Sequence, residues 1–205
     1  MAHRRAWIER HVNDPYVKRA RTAGYRSRAA FKLLEIDAKD RLFAPGQTVV
    51  DLGAAPGGWS QVAAAKVGPH GRVVAVDMLD LPALPGVVFI RGDCSDVTTL
   101  QRVEDALGGA KVDLVLSDMS PNLSGVAVYD QARSVHLAEL AVALALAQLR
   151  PTGALLVKAF HGAGFPDLLA GMRKRFARVT IRKPSASRDR SAEVYVLARG
   201  PRASD

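Results

Sequence analysis

Short apolar runs alternate with longer segments of helical spacing along most of the chain from Pro45 onward. Runs rich in Val and Leu predict buried strands at 49–52, 73–77, 87–91, 112–117 and 154–158. Between and after them, apolar residues spaced for one face of a helix predict helices at 59–66, 97–107, 132–149 and 167–176. Because strands that alternate with helices form parallel sheets covered on both faces, the pattern indicates an α/β domain.

The N-terminal part of the chain departs from this alternation. Residues 3–38 predict two helices that are separated at Gly24. Asp14 followed by Pro15 is typical of a helix start, because proline fits the first helical position. The second helix is predicted from Ser27, with an inner face formed by Ala30, Phe31, Leu34 and Ile36.

The C-terminal part predicts a hairpin instead of another strand–helix unit. Apolar runs at 179–182 and 193–198 flank a basic, turn-rich loop. A length of 205 residues suits a single domain, and the chain has neither internal repeats nor a long linker. We therefore predict one domain over 1–205, with a basic helical extension at 1–38 and an α/β core at 45–200.

A glycine-rich turn follows the first predicted strand, in the stretch DLGAAPGGWSQ at 51–61. A strand, a glycine turn and a helix start together form a crevice in which a ligand can approach the backbone closely. Asp77 ends the next strand 20 residues after Gly57, at the distance expected for an acid that accepts hydrogen bonds from ribose hydroxyls. This combination favours a nucleotide site over a tight turn alone.

The spacing of the glycines narrows the class of nucleotide. The dinucleotide pattern G-x-G-x-x-G is absent, because three other residues separate Gly53 from Gly57 and Gly58. The phosphate-loop pattern G-x-x-x-x-G-K-[ST] does not occur either. A ligand without a pyrophosphate fits this turn better, and S-adenosylmethionine is the common one.

Polar residues stand at the ends of the predicted core strands, where ligands of open α/β sheets bind. These residues are Asp51, Asp77, Asp93, Asp118 and Lys158. Lys158 closes an apolar run, where an unpaired ammonium group is costly, so it needs water or carboxylate partners. Asp118 at the neighbouring strand end and Glu193 at the start of the last strand are the candidate partners.

The net charge of +9 is concentrated in two blocks. Residues 1–32 hold nine lysines and arginines against two acids, and residues 171–190 hold eight against one. The rest of the chain is mildly acidic. Two concentrated basic blocks predict a surface that binds a polyanion, and nucleic acid is the simplest partner of that kind.

Several other classes of protein are not supported. The single cysteine, Cys94, excludes an internal disulfide, and the five histidines are scattered without metal-ligand spacing. No apolar run is long enough to cross a membrane, and charged residues interrupt the N-terminus where a signal peptide needs an apolar core. We therefore expect a cytoplasmic monomer without a bound metal ion.

Local motifs across nearly the whole chain resemble the RrmJ/FtsJ family of S-adenosylmethionine-dependent ribosomal RNA 2′-O-ribose methyltransferases. The matching stretches are YRSRAAFKL at 25–33, the turn at 51–61, SDM at 117–119, PN at 121–122, SG at 124–125, VK at 157–158, and RKP at 182–184 through Arg188 to EVY at 193–195. The resemblance implies a Rossmann-like class I methyltransferase fold, with a mostly parallel seven-stranded sheet and a C-terminal antiparallel hairpin.

The same resemblance implies the site residues. The family's Lys-Asp-Lys-Glu tetrad falls on Lys32, Asp118, Lys158 and Glu193. The implied cofactor-binding residues are Gly53, Gly57, Gly58, Trp59, Asp77, Asp93 and Asp118. Among them Asp77 would hold the ribose hydroxyls, Asp93 the adenine amino group and Asp118 the methionyl end. The basic residues expected to contact RNA are Arg26, Arg28, Lys32, Lys183, Arg188 and Arg190.

The implied substrate is the ribose 2′-hydroxyl of a uridine in the A-loop of large-subunit (23S-type) ribosomal RNA, within an assembled large subunit. A ribose hydroxyl is a poor nucleophile until its proton begins to leave, so Lys158 is expected to orient and stabilise the oxygen. Asp118 and Glu193 would fix Lys158, and Lys32 would hold the target ribose or phosphate. Whether Lys158 also takes the proton stays open, because acidic neighbours favour its charged form whereas nearby Lys32 opposes it.

Two other functions stay open at this point. One is a cap or other RNA 2′-O-methyltransferase, which shares the logic of the tetrad. The other is a non-catalytic RNA-binding factor of ribosome assembly, whose cofactor pocket only stabilises the fold. Enzymes that methylate cytosine C5 fit less well, because they need a nucleophilic cysteine near Asp118, whereas Cys94 follows another strand.

Overall fold

The computed structural model describes residues 14–121, 124–188 and 191–202. Its helices are α1 (Pro15–Thr22), α2 (Ala29–Asp40), α3 (Gly58–Val67), α4 (Val97–Leu107), α5 (Ala127–Gln148) and α6 (Phe165–Arg175). Its strands are β1 (Thr48–Leu52), β2 (Arg72–Asp77), β3 (Val87–Arg91), β4 (Val112–Ser117), β5 (Leu149–Phe160), β6 (Phe176–Arg182) and β7 (Glu193–Pro201). The strands form one sheet in the order β3-β2-β1-β4-β5-β7-β6.

The sheet is parallel except around β7, which lies between β5 and β6 and runs antiparallel to both. The predicted fold class, including the C-terminal hairpin, is confirmed. In the parallel part, Leu52 pairs with both Val76 and Ser117, and Ser117 pairs with Val157. This register brings the carboxyl ends of the strands to one edge, and with them the side chains of Asp77, Asp118 and Lys158.

The central strands are apolar on both faces because helices cover both faces of the sheet. Helices α4, α5 and α6 pack over residues such as Val50 and Val115, whereas α2 and α3 pack over Val49 and Leu114. Successive residues of a strand point to opposite faces, so Val49 and Val50 enter different cores. The continuous apolar runs of the sequence follow from this two-sided burial.

Helix α1 begins as predicted. The Asp14 carboxylate caps the helix by accepting a hydrogen bond from Tyr16 N at 3.0 Å, and Pro15 occupies the first turn. Gly24, with a φ angle of 73°, follows the end of the helix. Residues 1–13 of the predicted N-terminal extension lie outside the described residues.

Helix α2 buries most of the predicted face. Ala30 and Ile36 are buried and the half-buried Leu34 packs against the same core, whereas Phe31 was wrongly given to the inner face. Leu33 and Asp37 are buried as well. Residues three or four positions apart share one face of a helix, which selects Leu33 together with Ala30 and Ile36. Phe31 instead packs against Tyr16 and Tyr25, and so joins α1 to α2.

Strand β5 begins earlier than its predicted start at 154. Leu149 pairs with Val112, and the pairing shifts at an irregularity before Ala154 pairs with Leu114. Residues 150–152 are exposed and residue 153 is a glycine, so the apolar pattern of the sequence does not reveal that this segment belongs to the strand.

Candidate active site

The glycine turn connects β1 to α3 at the carboxyl edge of the sheet. Gly53 and Gly57 have φ angles of 73° and 108°, which other residues rarely adopt. A Cβ atom at Gly53 would lie 2.7 Å from the Met119 side chain, and one at Gly58 would overlap the hydroxyl group of Ser27. Gly53 and Gly58 therefore leave space for Met119 and Ser27, which pack against the turn. Gly53 also lines the cavity described next.

A cavity of about 490 Å³ opens beside the turn, beyond the carboxyl ends of β1 to β4. Its volume suits a ligand of nucleoside size. Carboxylates line it at Asp77, Asp93 and Asp118, and apolar side chains line it at Met78, Leu79, Met119, Leu137 and Leu140. Arg133 and His136 of α5 complete the wall.

Asp77 and Asp93 both keep free acceptor sites at this cavity. Asp77 accepts one backbone hydrogen bond on each oxygen, from Ala55 N and from Leu79 N, both at 2.8 Å. A carboxylate oxygen has two acceptor sites, so each oxygen of Asp77 keeps one. The Ser95 backbone and hydroxyl groups donate to Asp93 Oδ1 and lower the pKa of Asp93, which favours its charged form. Both carboxylates can therefore accept hydroxyl or amino donors from a ligand.

Trp59 lies away from the cavity, in contrast to its implied place in the cofactor site. Its side chain is 2% exposed, Nε1 donates to Ala29 O at 2.8 Å, and the ring packs against Tyr195 with centroids 5.5 Å apart. Gly57 and Gly58 also stand outside the cavity wall, beside Arg26 and Ser27. Four of the implied cofactor residues line the cavity, namely Gly53, Asp77, Asp93 and Asp118.

Asp51 belongs to β1 but is sealed behind the turn. Its Oδ2 accepts a hydrogen bond from Ser60 Oγ at 2.6 Å, whereas Oδ1 has no partner among the residues that the structure describes. Burial, reinforced by the charges of Asp118 and Asp77, raises the pKa of Asp51 to about 7. Asp51 therefore lies under α3 as a fully buried acid and does not line the cavity.

The four tetrad residues come together next to the cavity as two ion pairs. Lys158 Nζ lies 3.0 Å from Asp118 Oδ1 and donates to the Asp118 backbone oxygen at 2.7 Å. Lys32 Nζ, from α2, lies 2.6 Å from Glu193 Oε1. Lys158 thus pairs with Asp118 as expected, but Glu193 pairs with Lys32 and not with Lys158. The reason is the register, because Tyr195 and not Glu193 is the cross-strand neighbour of Lys158.

Tyr195 joins the two ion pairs, a role that the sequence analysis missed. The side chain is fully buried, and its hydroxyl group donates to Asp118 Oδ1 at 2.8 Å. The same hydroxyl group accepts a hydrogen bond from Lys32 Nζ at 3.3 Å. The signal was present in the chain, since Tyr195 stands two residues after Glu193 and therefore shares its face of the strand.

The ionisation of this cluster follows from its charges. Burial alone would raise the pKa of Glu193, but the ammonium groups of Lys32 and Lys158 and a hydrogen bond from Ser187 Oγ hold it below its usual value. Burial and the neighbouring carboxylates raise the pKa of Tyr195 well above its usual value. At neutral pH Glu193 is therefore ionised, and Tyr195 is a neutral phenol that donates its proton in a hydrogen bond.

Two arginines expected to meet RNA are engaged within the protein. Arg26 donates to two backbone carbonyl oxygens of the β2–β3 loop, at 2.6 and 2.8 Å. Arg28 forms an ion pair with Asp14 and donates to the carbonyl oxygen of Ala186. Arg26 therefore holds a loop at the cavity, and Arg28 holds the start of α1 to the loop between β6 and β7.

The other basic candidates differ from one another. Lys183 donates to the carbonyl oxygens of Ser191 and Glu193, at 2.5 and 2.6 Å, and so closes the loop between β6 and β7. Arg188 is exposed, and its guanidinium group lies 4.0 Å from a carboxylate oxygen of Asp14. Arg190 lies outside the described residues. Among the candidates described, Arg188 is the one most open to a polyanion.

Cys94 lines the cavity but is not a ready nucleophile. Burial and the charge of Asp93 raise the pKa of Cys94 to about 12, so its thiol keeps its proton at neutral pH. Within the described ranges, no three or more His, Cys, Asp or Glu side chains are grouped so that they could hold a metal ion. None of the described helices is long and apolar enough to cross a membrane.

The sheet order and the cavity at its carboxyl edge define a Rossmann-like methyltransferase. Comparison with known proteins makes this assignment specific, because residues 25–201 match the family of FtsJ-like methyltransferases. The chain therefore belongs to the FtsJ-like methyltransferase family, and the expected enzyme class is confirmed.

Two relatives are identical to this chain at more than half of their aligned positions. A protein of Azoarcus sp. (strain BH72) named ribosomal RNA large subunit methyltransferase E is 56% identical over 193 residues, which cover 94% of each protein. The protein of the same name from Thiobacillus denitrificans is 57% identical over 196 residues, which cover 96% of this chain and 89% of that one.

A solved structure resembles the fold over most of the chain. It is a crystal structure of a Plasmodium falciparum protein described provisionally as a ribosomal RNA methyltransferase. The TM-score is 0.77 at 25% identity, and the match covers 86% of this chain and 98% of the other.

Proposed function

We propose that this methyltransferase moves the methyl group of S-adenosylmethionine to a ribose 2′-hydroxyl group of large-subunit ribosomal RNA. The proposed target is a uridine of the A-loop in an assembled large subunit. The observation that carries the proposal is the pair of lysine–carboxylate ion pairs, joined by Tyr195, at the rim of an acidic cavity of nucleoside size. The name of the bacterial relatives, ribosomal RNA large subunit methyltransferase E, supports the substrate class.

The cavity fits S-adenosylmethionine by its chemistry. This cofactor carries a sulfonium and an ammonium group, and the three carboxylates of the wall complement that positive charge. Asp77 would hold the ribose hydroxyls, Asp93 the adenine amino group and Asp118 the methionyl end. The apolar side chains of Met78 and Leu79 would contact the adenine ring. When bound, the cofactor supplies an electrophilic methyl group.

Lys158 is the residue that we assign to the ribose oxygen. An ammonium group has three N–H donors, and Asp118 engages two of those of Lys158 through its carboxylate and backbone oxygens. The third would orient the 2′-oxygen for in-line attack and stabilise its negative charge as the hydroxyl proton passes to solvent water. The bond between the methyl group and the sulfonium sulfur would break as the bond to the 2′-oxygen forms, which would leave a neutral thioether. Lys32 has the same arrangement, with Glu193 and Tyr195 as its two acceptors, and its third donor would hold the target ribose or phosphate.

Asp118 connects the two halves of the reaction. It lines the cavity and also contacts Lys158 and Tyr195. The donor and the acceptor of the methyl group would therefore meet at this carboxylate. Because the Lys158 side chain is only 7% exposed, water has little access to the ammonium group before the RNA docks.

A methyl-transfer assay tests the proposal. Large ribosomal subunits from a strain that lacks this methyltransferase are incubated with the protein and labelled S-adenosylmethionine, and the methylated nucleotide is mapped by mass spectrometry. We expect one 2′-O-methylated uridine in the A-loop. The Lys158→Ala variant should lose activity, whereas Lys174→Ala, a change of an exposed lysine on α6, should keep it.

The outcomes of this assay separate the competing functions. Methylation of capped messenger RNA but not of subunits would identify a cap 2′-O-methyltransferase. Binding to subunits without methyl transfer would identify an RNA-binding assembly factor. Equal activity of the wild type and Lys158→Ala would refute the role of Lys158. The proposal also includes a cytoplasmic monomer that needs no metal ion. Light scattering tests whether the protein is a monomer, and an assay in the presence of a chelator tests the metal requirement.

A further inference from the structure

A second, polar cleft lies at the end of α2 that is remote from the tetrad. Its volume is about 220 Å³. The residues that form this far cleft are Lys39 and Asp40 of α2, Arg178 and Thr180 of β6, and Leu197 and Arg199 of β7. Neither the cofactor cavity nor the tetrad uses any of these side chains.

The far cleft lies on the same face of the sheet as the tetrad. Alternate residues of a strand share a face, so Arg199 projects on the same side of β7 as Glu193 and Tyr195. Arg199 stands six positions after Glu193, which corresponds to roughly 20 Å along an extended strand. Helix α2 runs along this face from Lys32 at the tetrad to Lys39 at the cleft, a rise of about 10 Å.

Positive charge dominates the cleft. Arg178 and Arg199 are direct cross-strand partners, an arrangement of like charges that destabilises a sheet. The carboxylate of the cleft, Asp40, is already engaged by Arg182 through two hydrogen bonds of 2.6 Å, which lower the pKa of Asp40. Two arginines and Lys39 therefore surround a carboxylate whose charge another arginine neutralises.

Helix capping explains part of this charge but not all of it. Arg199 donates to the Asp40 backbone oxygen at 2.7 Å, so it satisfies the C-terminal end of α2. Arg178 and Lys39 are exposed, and neither side chain forms a hydrogen bond or ion pair with any residue in the described part of the chain. Their donors are available to a ligand, and a guanidinium group beside an ammonium group suits a phosphate.

We infer that the far cleft binds a phosphodiester of the RNA backbone, at the end of α2 that is remote from the site of methyl transfer. It would act as a second anchor on the same RNA that places a ribose at Lys158, and the inference rests on the proposed function in that respect. RNA is favoured as the partner because the cleft shares a face with the tetrad and α2 connects the two. Lys39 and Arg178 would contribute affinity for RNA and would take no part in the chemistry.

A double substitution tests this inference. Lys39→Gln combined with Arg178→Gln removes two positive charges that stabilise no described contact within the protein. The matched control is Arg173→Gln with Lys174→Gln, which removes the same two residue types from α6 on the opposite face of the sheet. Both variants are compared with the wild type in methyl transfer to unmodified large subunits, and in filter binding of the same subunits at increasing salt.

We expect the KM for subunits to rise on the order of tenfold in the cleft variant, with kcat and the Kd for S-adenosylmethionine unchanged. The slope of log K against log salt should become shallower by roughly 1 to 2, because two phosphate contacts are lost. The control should change the KM and the slope by much less. Equal values for the cleft variant and the control would overturn the inference.

The same measurements separate this inference from the proposed function. A wild type that transfers no methyl group refutes the proposed function, while a cleft-dependent salt slope in filter binding would still support the RNA anchor. Thermal unfolding checks that the cleft variant is folded. Should its melting temperature fall, Arg178→Lys supplies the second test, because it keeps the charge but loses the planar fork. An intermediate KM for that variant supports the anchor, and a wild-type KM contradicts it.

Discussion

The proposed cofactor cavity and the tetrad adjoin each other, yet they are formed from the chain in different ways. The cavity is formed by the turns that follow β1 to β4, so its residues stand within a few positions of their strands. The tetrad combines residues from α2, β5 and β7 with one from the end of β4. It therefore depends on contacts that hold the two ends of the chain together.

Charged side chains supply many of those contacts. Arg28 contacts the loop between β6 and β7, and Arg182 of β6 forms a two-hydrogen-bond pair with Asp40 of α2. Glu35 of α2 accepts hydrogen bonds from the backbone and hydroxyl groups of Ser185, at 2.7 and 2.8 Å. The comparison shows that some of the basic residues near the chain ends, such as Arg28 and Arg182, form internal contacts that position the tetrad. Only the remaining basic residues are available to bind RNA.

The largest expected effect comes from a substitution of Asp118, which belongs to both the cavity wall and the tetrad. Asp118→Asn removes the charge that pairs with Lys158 and one carboxylate of the cavity wall. We expect kcat to fall on the order of 10³-fold and the Kd for S-adenosylmethionine to rise as well. Asp77→Asn is the matched variant, since Asp77 lines the cavity without touching the tetrad, and it should raise the Kd far more than it lowers kcat. A loss confined to kcat in Asp118→Asn would show that the cavity does not need this carboxylate.

Tyr195→Phe isolates the link between the ion pairs. It deletes the hydroxyl group that joins Asp118 to Lys32 and leaves the buried ring in place. We expect kcat to fall on the order of 100-fold, with cofactor affinity unchanged in calorimetry. Ser187→Ala serves as the comparison, because it also removes a hydroxyl group from the cluster but only at Glu193. Unchanged kcat in Tyr195→Phe would mean that the two ion pairs work separately.

The pH dependence of stability should have opposite signs for the buried acid behind the glycine turn, Asp51, and for Glu193 of the tetrad. The folded-state pKa of Asp51, about 7, lies above its unfolded value near ~3.9, so its contribution to stability is full below pH ~4 and is lost as pH rises towards 7. Relative to Asp51→Asn, the wild type should lose about 1.4 kcal/mol of unfolding free energy per pH unit between pH ~5 and ~7. Denaturant titrations at several pH values measure this difference.

Glu193 provides the contrasting case for the same experiment. Its folded-state pKa is lowered, so the stability it contributes is present above its unfolded pKa and is lost as pH falls. The stability gap between the wild type and Glu193→Gln should therefore close on acidification. Parallel curves for the wild type and Asp51→Asn would show that Asp51 is not protonated in the folded state.

Substitution of Arg26 should give the smallest effect. We expect it to change cofactor binding, although Arg26 was predicted to contact RNA. Its guanidinium group holds the β2–β3 loop, which carries Met78 and Leu79 of the cavity wall. We expect Arg26→Gln to raise the Kd for S-adenosylmethionine about fivefold, because the loop must be ordered when the cofactor binds. The exposed Arg188 is the control, and Arg188→Gln should weaken RNA binding without changing the cofactor Kd. The reverse pattern would restore Arg26 to the RNA surface.

Periodicity and local motifs in the sequence were enough to predict the sheet and part of the site. The strand–helix alternation led to the sheet, and the strand ends led to Asp77, Asp93 and Asp118. Contacts between remote segments were not accessible, because an arginine or lysine in the sequence carries no sign of whether its acceptor is a phosphate or a carbonyl group of the same chain. Arg26 and Lys183 are examples, and the pairing of Glu193 with Lys32 depended on a register that only the assembled sheet defines.

Trp59 is another residue whose surroundings the sequence motif did not reveal. Its position after the glycine turn implied a ligand contact, but the helical turn at Gly58 carries the indole ring into the core against Tyr195. A side chain next to a ligand-binding turn can therefore face either the ligand or the core, and the motif alone does not distinguish them. In this chain the indole ring supports the residue that joins the tetrad.

The position of β7 also bears on how the protein is made. Strand β6 has β7 as its neighbour in the sheet, and β7 must enter between β6 and β5, although it is synthesised after both. During translation β6 therefore cannot pair with its neighbouring strand until residues 193–201 have left the ribosome. Since the same strand delivers Glu193 and Tyr195, a nascent chain can fold much of its cofactor cavity before it possesses a tetrad. The ability to modify RNA would thus be among the last properties acquired during synthesis.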